Sequence, residues 1–137
     1  MRYLIIFVTL LNLYGFNITV SVDNLRNSKG VVQFNLYNKD GTIPDKNFNK
    51  YFQKKVVKIK NHSATAIFTN IPKGRYAIGI LHDENKNGKI DKGFMLPKEG
   101  IGFTNYKKIN LLNKPNFKNA SFMLDSNVTK KIKIIYF

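Results

Sequence analysis

The sequence predicts an all-β fold: a single antiparallel β-sandwich with one long loop after its central strand and a short helical crossover. Three observations carry the prediction. Short segments alternate apolar and polar residues at the two-residue period of a half-buried strand. Clusters of Gly, Pro, Asn and Asp interrupt them every few residues. No long stretch shows helical amphipathic spacing, so the apolar faces have only one another to cover them. With 137 residues, 43% of them hydrophobic, the chain has material for one core and not for two, since single domains most often run about 100–150 residues.

Residues 1–15 place one positive charge, Arg2, ahead of an apolar run too short to span a bilayer comfortably, and a strand-like pattern follows at once. This layout reads as a cleaved secretory signal, with residues 16–137 forming a single β-sandwich domain. The mature chain is then expected in the periplasm or outside the cell, with no transmembrane segment. A buried first strand or an uncleaved anchor is the alternative, because Leu13-Tyr14-Gly15 is a poor small-x-small cleavage site. The chain has no cysteine, which excludes a disulfide framework, a thiolate metal site, a cysteine nucleophile and a lipoprotein anchor.

In NITVSVDNL, Ile18, Val20 and Val22 share one face. The polar turn RNSKG follows, and then GVVQFNLYN with Val32, Phe34 and Leu36 inward, so the two segments are expected to pair as a hairpin. Turn signals at Asp40-Gly41 and Ile43-Pro44-Asp45 precede Phe48, Tyr51 and Phe52. Their spacing of three and four predicts one or two helical turns capped by Asp45, whose aromatics cover the end of the core or form a binding lip. Two further strands, KKVVKIK and SATAIFTN, turn at Asn61-His62-Ser63. The central strand follows Pro72-Lys73-Gly74: Tyr76, Ile78 and Ile80 point inward, which continues the inward stripe to His82 as a packing residue and sends Asp83 outward. After an irregular stretch from Tyr106 to Phe117, ASFML and VTKKIKIIYF are expected to form a closing hairpin through Asp125-Ser126-Asn127.

A net charge of +15 raises nucleic acid or anionic membrane as partners. Arginine, whose planar fork suits bases and phosphates, occurs only at positions 2, 26 and 75. The lysines are scattered through turns and outward strand positions, as in KKVVKIK and TKKIKIIYF. A solvated basic surface is expected, and no nucleic-acid partner.

Chemistry concentrates between His82 and Asn105. Asp83, Asn85, Asn87, Gly88 and Asp91 form the pattern D-x-N-x-N-G-x-x-D. In a calcium loop the first, third and fifth residues give side-chain oxygens, the sixth is glycine, the seventh gives its carbonyl and the ninth adds an oxygen or a water. Lys89 occupies the carbonyl position and Ile90 the position that plugs into the core. Phe94 replaces the acidic twelfth ligand, and Lys86, Lys89 and Lys92 offset Asp83, Glu84 and Asp91. The loop therefore predicts weak Ca²⁺ binding, with Glu99 able to fold back as the missing ligand; magnesium and zinc suit the oxygen-only set less well. An equally good reading is a metal-free turn whose Asn side chains bond their own backbone. The following GFMLPKEGIGFTN reads as a surface loop tucked down by its apolar residues, with glycines at tight turns, or as a ligand groove.

GVVQFNLYN, NIPKGRYAIGILHDENKNGKIDKGF and LPKEGIGF together resemble the exported bacterial proteins grouped as domain of unknown function 2141. The resemblance implies a transthyretin-like or immunoglobulin-like β-sandwich and supplies no activity. No G-x-S-x-G, phosphate-loop or H-E-x-x-H motif occurs. The expectation is therefore a non-catalytic envelope module with a calcium-stabilised loop, its partner an envelope protein, a polysaccharide or a lipid surface. The alternatives are a basic protein that binds anionic envelope surfaces and, less favoured, a hydrolase built from His82, Asp83, Glu84 and Glu99.

Overall fold

The alternating segments fold as strands, and each buries the face its pattern marks, except in KKVVKIK, where Val57 and Ile59 are half-buried. The computed structural model describes residues 4, 15–91, 97–110 and 112–137. The signal expected over residues 1–15 lies outside this set apart from Leu4 and Gly15, and so do Lys92, Phe94 and Met95. Among the described residues the strands are β1 (Phe16–Val22), β2 (Val31–Tyr37), β3 (Gln53–Lys58), β4 (Ala64–Ile71), β5 (Gly74–Asp83), β6 (Ile101–Phe103), β7 (Phe122–Leu124) and β8 (Val128–Lys131), with a single-turn helix α1 (Phe117–Ala120).

They form a two-sheet sandwich. One sheet has the order β4-β1-β8; the other runs β3-β2-β5-β6, with β7 on the same edge of β5 as β6. Gly74–Tyr76 of β5 pairs with β7, and Gly79–Leu81 pairs with β6. Ile18, Val20 and Val22 of β1 meet Phe34, Leu36, Phe68, Ile78 and Ile80 in the core between the sheets. Each such side chain contributes roughly 1.5–3 kcal/mol when fully buried.

Two expected pairings are corrected. β1 and β2 form no hairpin: β1 pairs with β4 and β8, and β2 with β3 and β5. Residues 23–30 instead carry the chain between sheets, held by buried Leu25, whose N–H donates to the His62 carbonyl at 3.0 Å. The closing hairpin is also absent. β7 stays on β5, while the Asn127 carboxamide accepts the Asn17 N–H at 2.9 Å and pins the start of β8 onto β1. β8 then runs parallel to β1, so the sandwich is not purely antiparallel. Phe122, Leu124, Ile132 and Ile134 still share the core that their pattern marked.

The helical crossover is not at Phe48–Phe52. Phe48 is buried with φ of +53°, a left-handed conformation that no right-handed helix contains. Asp45 organises this segment as turns: its carbonyl accepts the Phe48 N–H at 3.1 Å, and its Oδ2 accepts the Lys50 N–H at 2.7 Å and the Tyr37 hydroxyl at 3.0 Å. The short helix forms instead at α1, capped by Asn116 Oδ1, which accepts the Asn119 N–H at 2.8 Å.

The outer face of the β2–β5 sheet is covered too. Tyr37, Ala77, Leu81 and Phe103 pack there beneath Ile43, Phe48, Tyr106 and Phe117, which makes a second apolar cluster. β5 is therefore buried on both faces from Tyr76 to Asp83. Gln33 and Asn35, on the polar side of β2's alternation, are buried in a network: Gln33 Nε2 donates to Asn35 Oδ1 at 2.8 Å, and Asn35 Nδ2 donates to the Tyr37 hydroxyl at 3.1 Å. Burial pushes the Tyr37 phenol far above its ordinary value.

Candidate functional site

The end of β5 carries His82 and Asp83 into a junction of three segments: the β1–β2 connection, the loop of residues 83–91 and the C-terminal tail. The connection approaches so closely that at Gly30, with φ of +71°, a Cβ would lie 2.0 Å from the Asp83 carbonyl oxygen. The tail leaves β8 beside β1, where Ile132 N–H donates to Ser21 O at 2.9 Å, and crosses to the other sheet, where Ile101 and Ile135 exchange backbone bonds of 3.0 and 2.7 Å. Gly100 and Gly102, expected to make tight turns, are there for this crossing: a Cβ on either would sit about 2.4–2.5 Å from Tyr136 or the Lys133 carbonyl.

His82 is the packing residue its stripe marked, fully buried with both ring nitrogens engaged. Nε2 lies 2.9 Å from the Lys29 carbonyl, which only accepts, so Nε2 carries the proton. Nδ1, at 2.8 Å, then accepts from the Tyr136 hydroxyl, and that hydroxyl in turn accepts the Arg26 N–H at 3.0 Å. The Arg26 guanidinium lies over the Tyr136 ring, 4.7 Å from its centre. It also pairs with Glu84 and donates to the Lys98 carbonyl at 3.0 Å. Burial pushes Glu84 upward, but the hydrogen bonds from Arg26 and Asn27 outweigh it and hold the carboxyl below its ordinary value.

Asp83 is buried rather than outward, because the second cluster covers its side of β5. Its Oδ1 accepts the Asn87 N–H at 3.1 Å and its Oδ2 the Gly88 N–H at 2.7 Å, which curls the loop over it. Gly88 has φ of +72° and open space around it. Asn85 and Asn87 both turn inward: their Nδ2 groups donate to Asp91 Oδ2 and Oδ1 at 2.7 and 2.8 Å. Asn87 Oδ1 accepts the Lys89 N–H at 3.0 Å, and Ile90 packs against the second cluster.

Glu99 is folded back onto this loop. Its Oε2 accepts the Glu84 N–H at 2.8 Å and its Oε1 the Asp91 N–H at 3.1 Å, so one buried carboxylate ties both ends of the loop. Burial and the neighbouring Asp91 carboxylate push Glu99 up to about 7, against the pull of its two backbone donors. The Asn87 amide, first among several contacts, holds Asp91 below its ordinary value.

Asp83, Asn85, Asn87, Asp91 and Glu99 are thus drawn into one hydrogen-bonded unit, with Lys89 in the same turn. Among the described residues no three His, Cys, Asp or Glu side chains gather closely enough to hold an ion. Any ion would depend on amide and carbonyl oxygens, and Asn85 and Asn87 would have to rotate their amides to exchange Nδ2 for Oδ1. Arg26 and Tyr136 were not expected at this junction. Arg26 carried the one signal available, being one of three arginines in a chain with 23 basic residues. Tyr136, at the far end of the chain, carried none.

The fold and this junction define a β-sandwich module whose distinguishing part is a polar loop clasped by a returning glutamate and the C-terminal tail. The chain belongs to the family described as "Uncharacterized protein conserved in bacteria (DUF2141)", whose profile matches residues 20–132. No curated protein and no solved structure matched the chain.

Proposed function

We propose that this bacterial β-domain is an exported, non-catalytic module of the cell envelope, used for binding or as an accessory domain, with a loop that weak calcium binding stabilises. Glu99 is the observation that carries the reading. It returns to the Asp83–Asp91 loop and sets a second carboxylate beside Asp91; burial first, and the Asp91 carboxylate after it, push it up to about 7, and a divalent cation would offset both. Asp83, Asn85, Asn87, Asp91, Glu99 and the Lys89 carbonyl are the oxygen donors assigned to the ion. The non-catalytic reading is supported by the engagement of His82 at both nitrogens and of Asp83 by backbone N–H groups. Among the described residues no helix is long and apolar enough to cross a membrane.

Melting of the mature protein with and without calcium tests the metal assignment. At about 10 mM calcium and an affinity near 1 mM the folded state gains about 1.4 kcal/mol, a rise of several degrees. An unchanged melting point removes the ion.

A second reading, a basic protein bound to anionic envelope surfaces, is favoured by the exposed lysines of β3, Lys54, Lys55 and Lys58. It predicts binding that weakens steeply with salt.

A further inference from the structure

A depression lies beside the junction and shares Tyr136 with it, where the C-terminal tail passes between the Asp23-Asn24 corner and residues 103–107. It encloses about 600 Å³, within the range of small-molecule sites. Phe103, Tyr106 and Ile134 give it an apolar lining. Exposed Lys107 and Lys133 flank that lining, and among the described residues neither has an acidic partner, whereas Lys131 is paired with Asp23 at 2.8 Å.

We propose that this groove binds a short stretch of acidic polysaccharide, an inference that rests on the reading of the chain as an envelope binding module. The apolar CH face of a sugar ring lies on the lining, and its carboxylates reach Lys107 and Lys133. The shape favours a chain-like ligand over a lipid surface, because the lining residues are buried at the bottom of a depression that a bilayer does not enter. Nucleic acid is disfavoured: among the described residues no arginine lines the groove, and the Phe103 and Tyr106 rings stand at 71° to one another rather than as a parallel stacking platform. The walls are already set. The Asn105 amide donates to the carbonyls of Asn119 and Ser121, each at 3.1 Å, and the Tyr106 hydroxyl accepts the Asn116 N–H at 3.2 Å. Such a rim needs little ordering on binding.

Calorimetric titration of the mature protein with an oligogalacturonate of about four units, in calcium-free buffer, tests the site. Binding is expected to weaken at least about tenfold in Lys107→Gln/Lys133→Gln, and to change less than about twofold in Lys54→Gln/Lys55→Gln on the far sheet edge. All four positions are exposed, so melting points should match the wild type. Equal losses in both pairs overturn the groove and leave diffuse surface attraction. Binding to vesicles containing about 30% anionic lipid, without binding to the oligosaccharide, assigns the lysines to a membrane and overturns the proposal. Absence of binding to either probe also overturns it. The calcium dependence of melting is untouched by any of these results, so the two readings fail separately.

Discussion

At the scale of single residues, three substitutions at the junction, set beside a control at Gly41 outside it, separate what the junction needs from what the chain tolerates. Gly30→Ala would place a methyl group on the Asp83 carbonyl in a left-handed conformation, and a loss of more than about 2 kcal/mol is expected. Gly41→Ala is the matched control: φ is +81° but nothing lies within 4 Å, so only the conformational cost of about 1 kcal/mol remains. Equal losses for the two in urea denaturation would contradict the close approach. Tyr136→Phe removes the hydroxyl that joins Arg26 N–H to His82 Nδ1, with an expected cost of about 1–3 kcal/mol. Glu99 gives the pH dependence a definite sign. Its folded value, about 7, lies above its ordinary 4.5, so the folded state holds the proton more tightly than the unfolded chain does. Its contribution to stability is full below pH 4.5 and falls away as pH rises to about 7. Glu99→Gln should flatten that slope in melting curves, and a wild-type slope retained by the variant would assign it to other groups.

At the scale of elements, the apolar alternation marked the buried face of β1, β2, β4 and β5 because a period of two leaves no freedom once one face is buried. It carried no information on which strands pair. β1 followed by β2, and β7 followed by β8, read as hairpins because each pair is joined by polar turn residues. What separates them is long-range: Leu25 seated at His62 and Asn127 capping Asn17. The covered outer face of the larger sheet was equally hidden, since Gln33 and Asn35 look like solvent-facing residues until the Asp45 segment closes over them. At the loop, the D-x-N-x-N-G-x-x-D spacing and Glu99 were legible because a tight turn and its closing carboxylate are local. Arg26, Tyr136 and the tail reach it from positions far away in the chain. The tail crossing has its own test. Gly102→Ala sets a Cβ against the Lys133 carbonyl, and amide exchange at Ile101 and Ile135 should quicken well ahead of exchange in β2. Uniform quickening would mean that the tail is not a separable clasp.

At the scale of the whole molecule, a +15 chain without cysteine holds two sheets together by packing and by a tail that pairs with both. Its acidic groups are few, and Asp83, Glu84, Asp91 and Glu99, four of the eight, stand at one end of β5. The surrounding lysines weaken any cation bound there, in keeping with the millimolar affinity proposed. Under the proposed function a proton and the ion would compete for the Glu99 carboxylate, which joins the fold, the junction and that proposal in one observable. Calcium titration by calorimetry at about pH 6 and about pH 8 reads it directly. Binding should be roughly tenfold weaker at the lower pH, with close to one proton released per ion there. Absence of heat at both pH values, at about 10 mM calcium, would contradict the account and leave the loop a hydrogen-bonded turn.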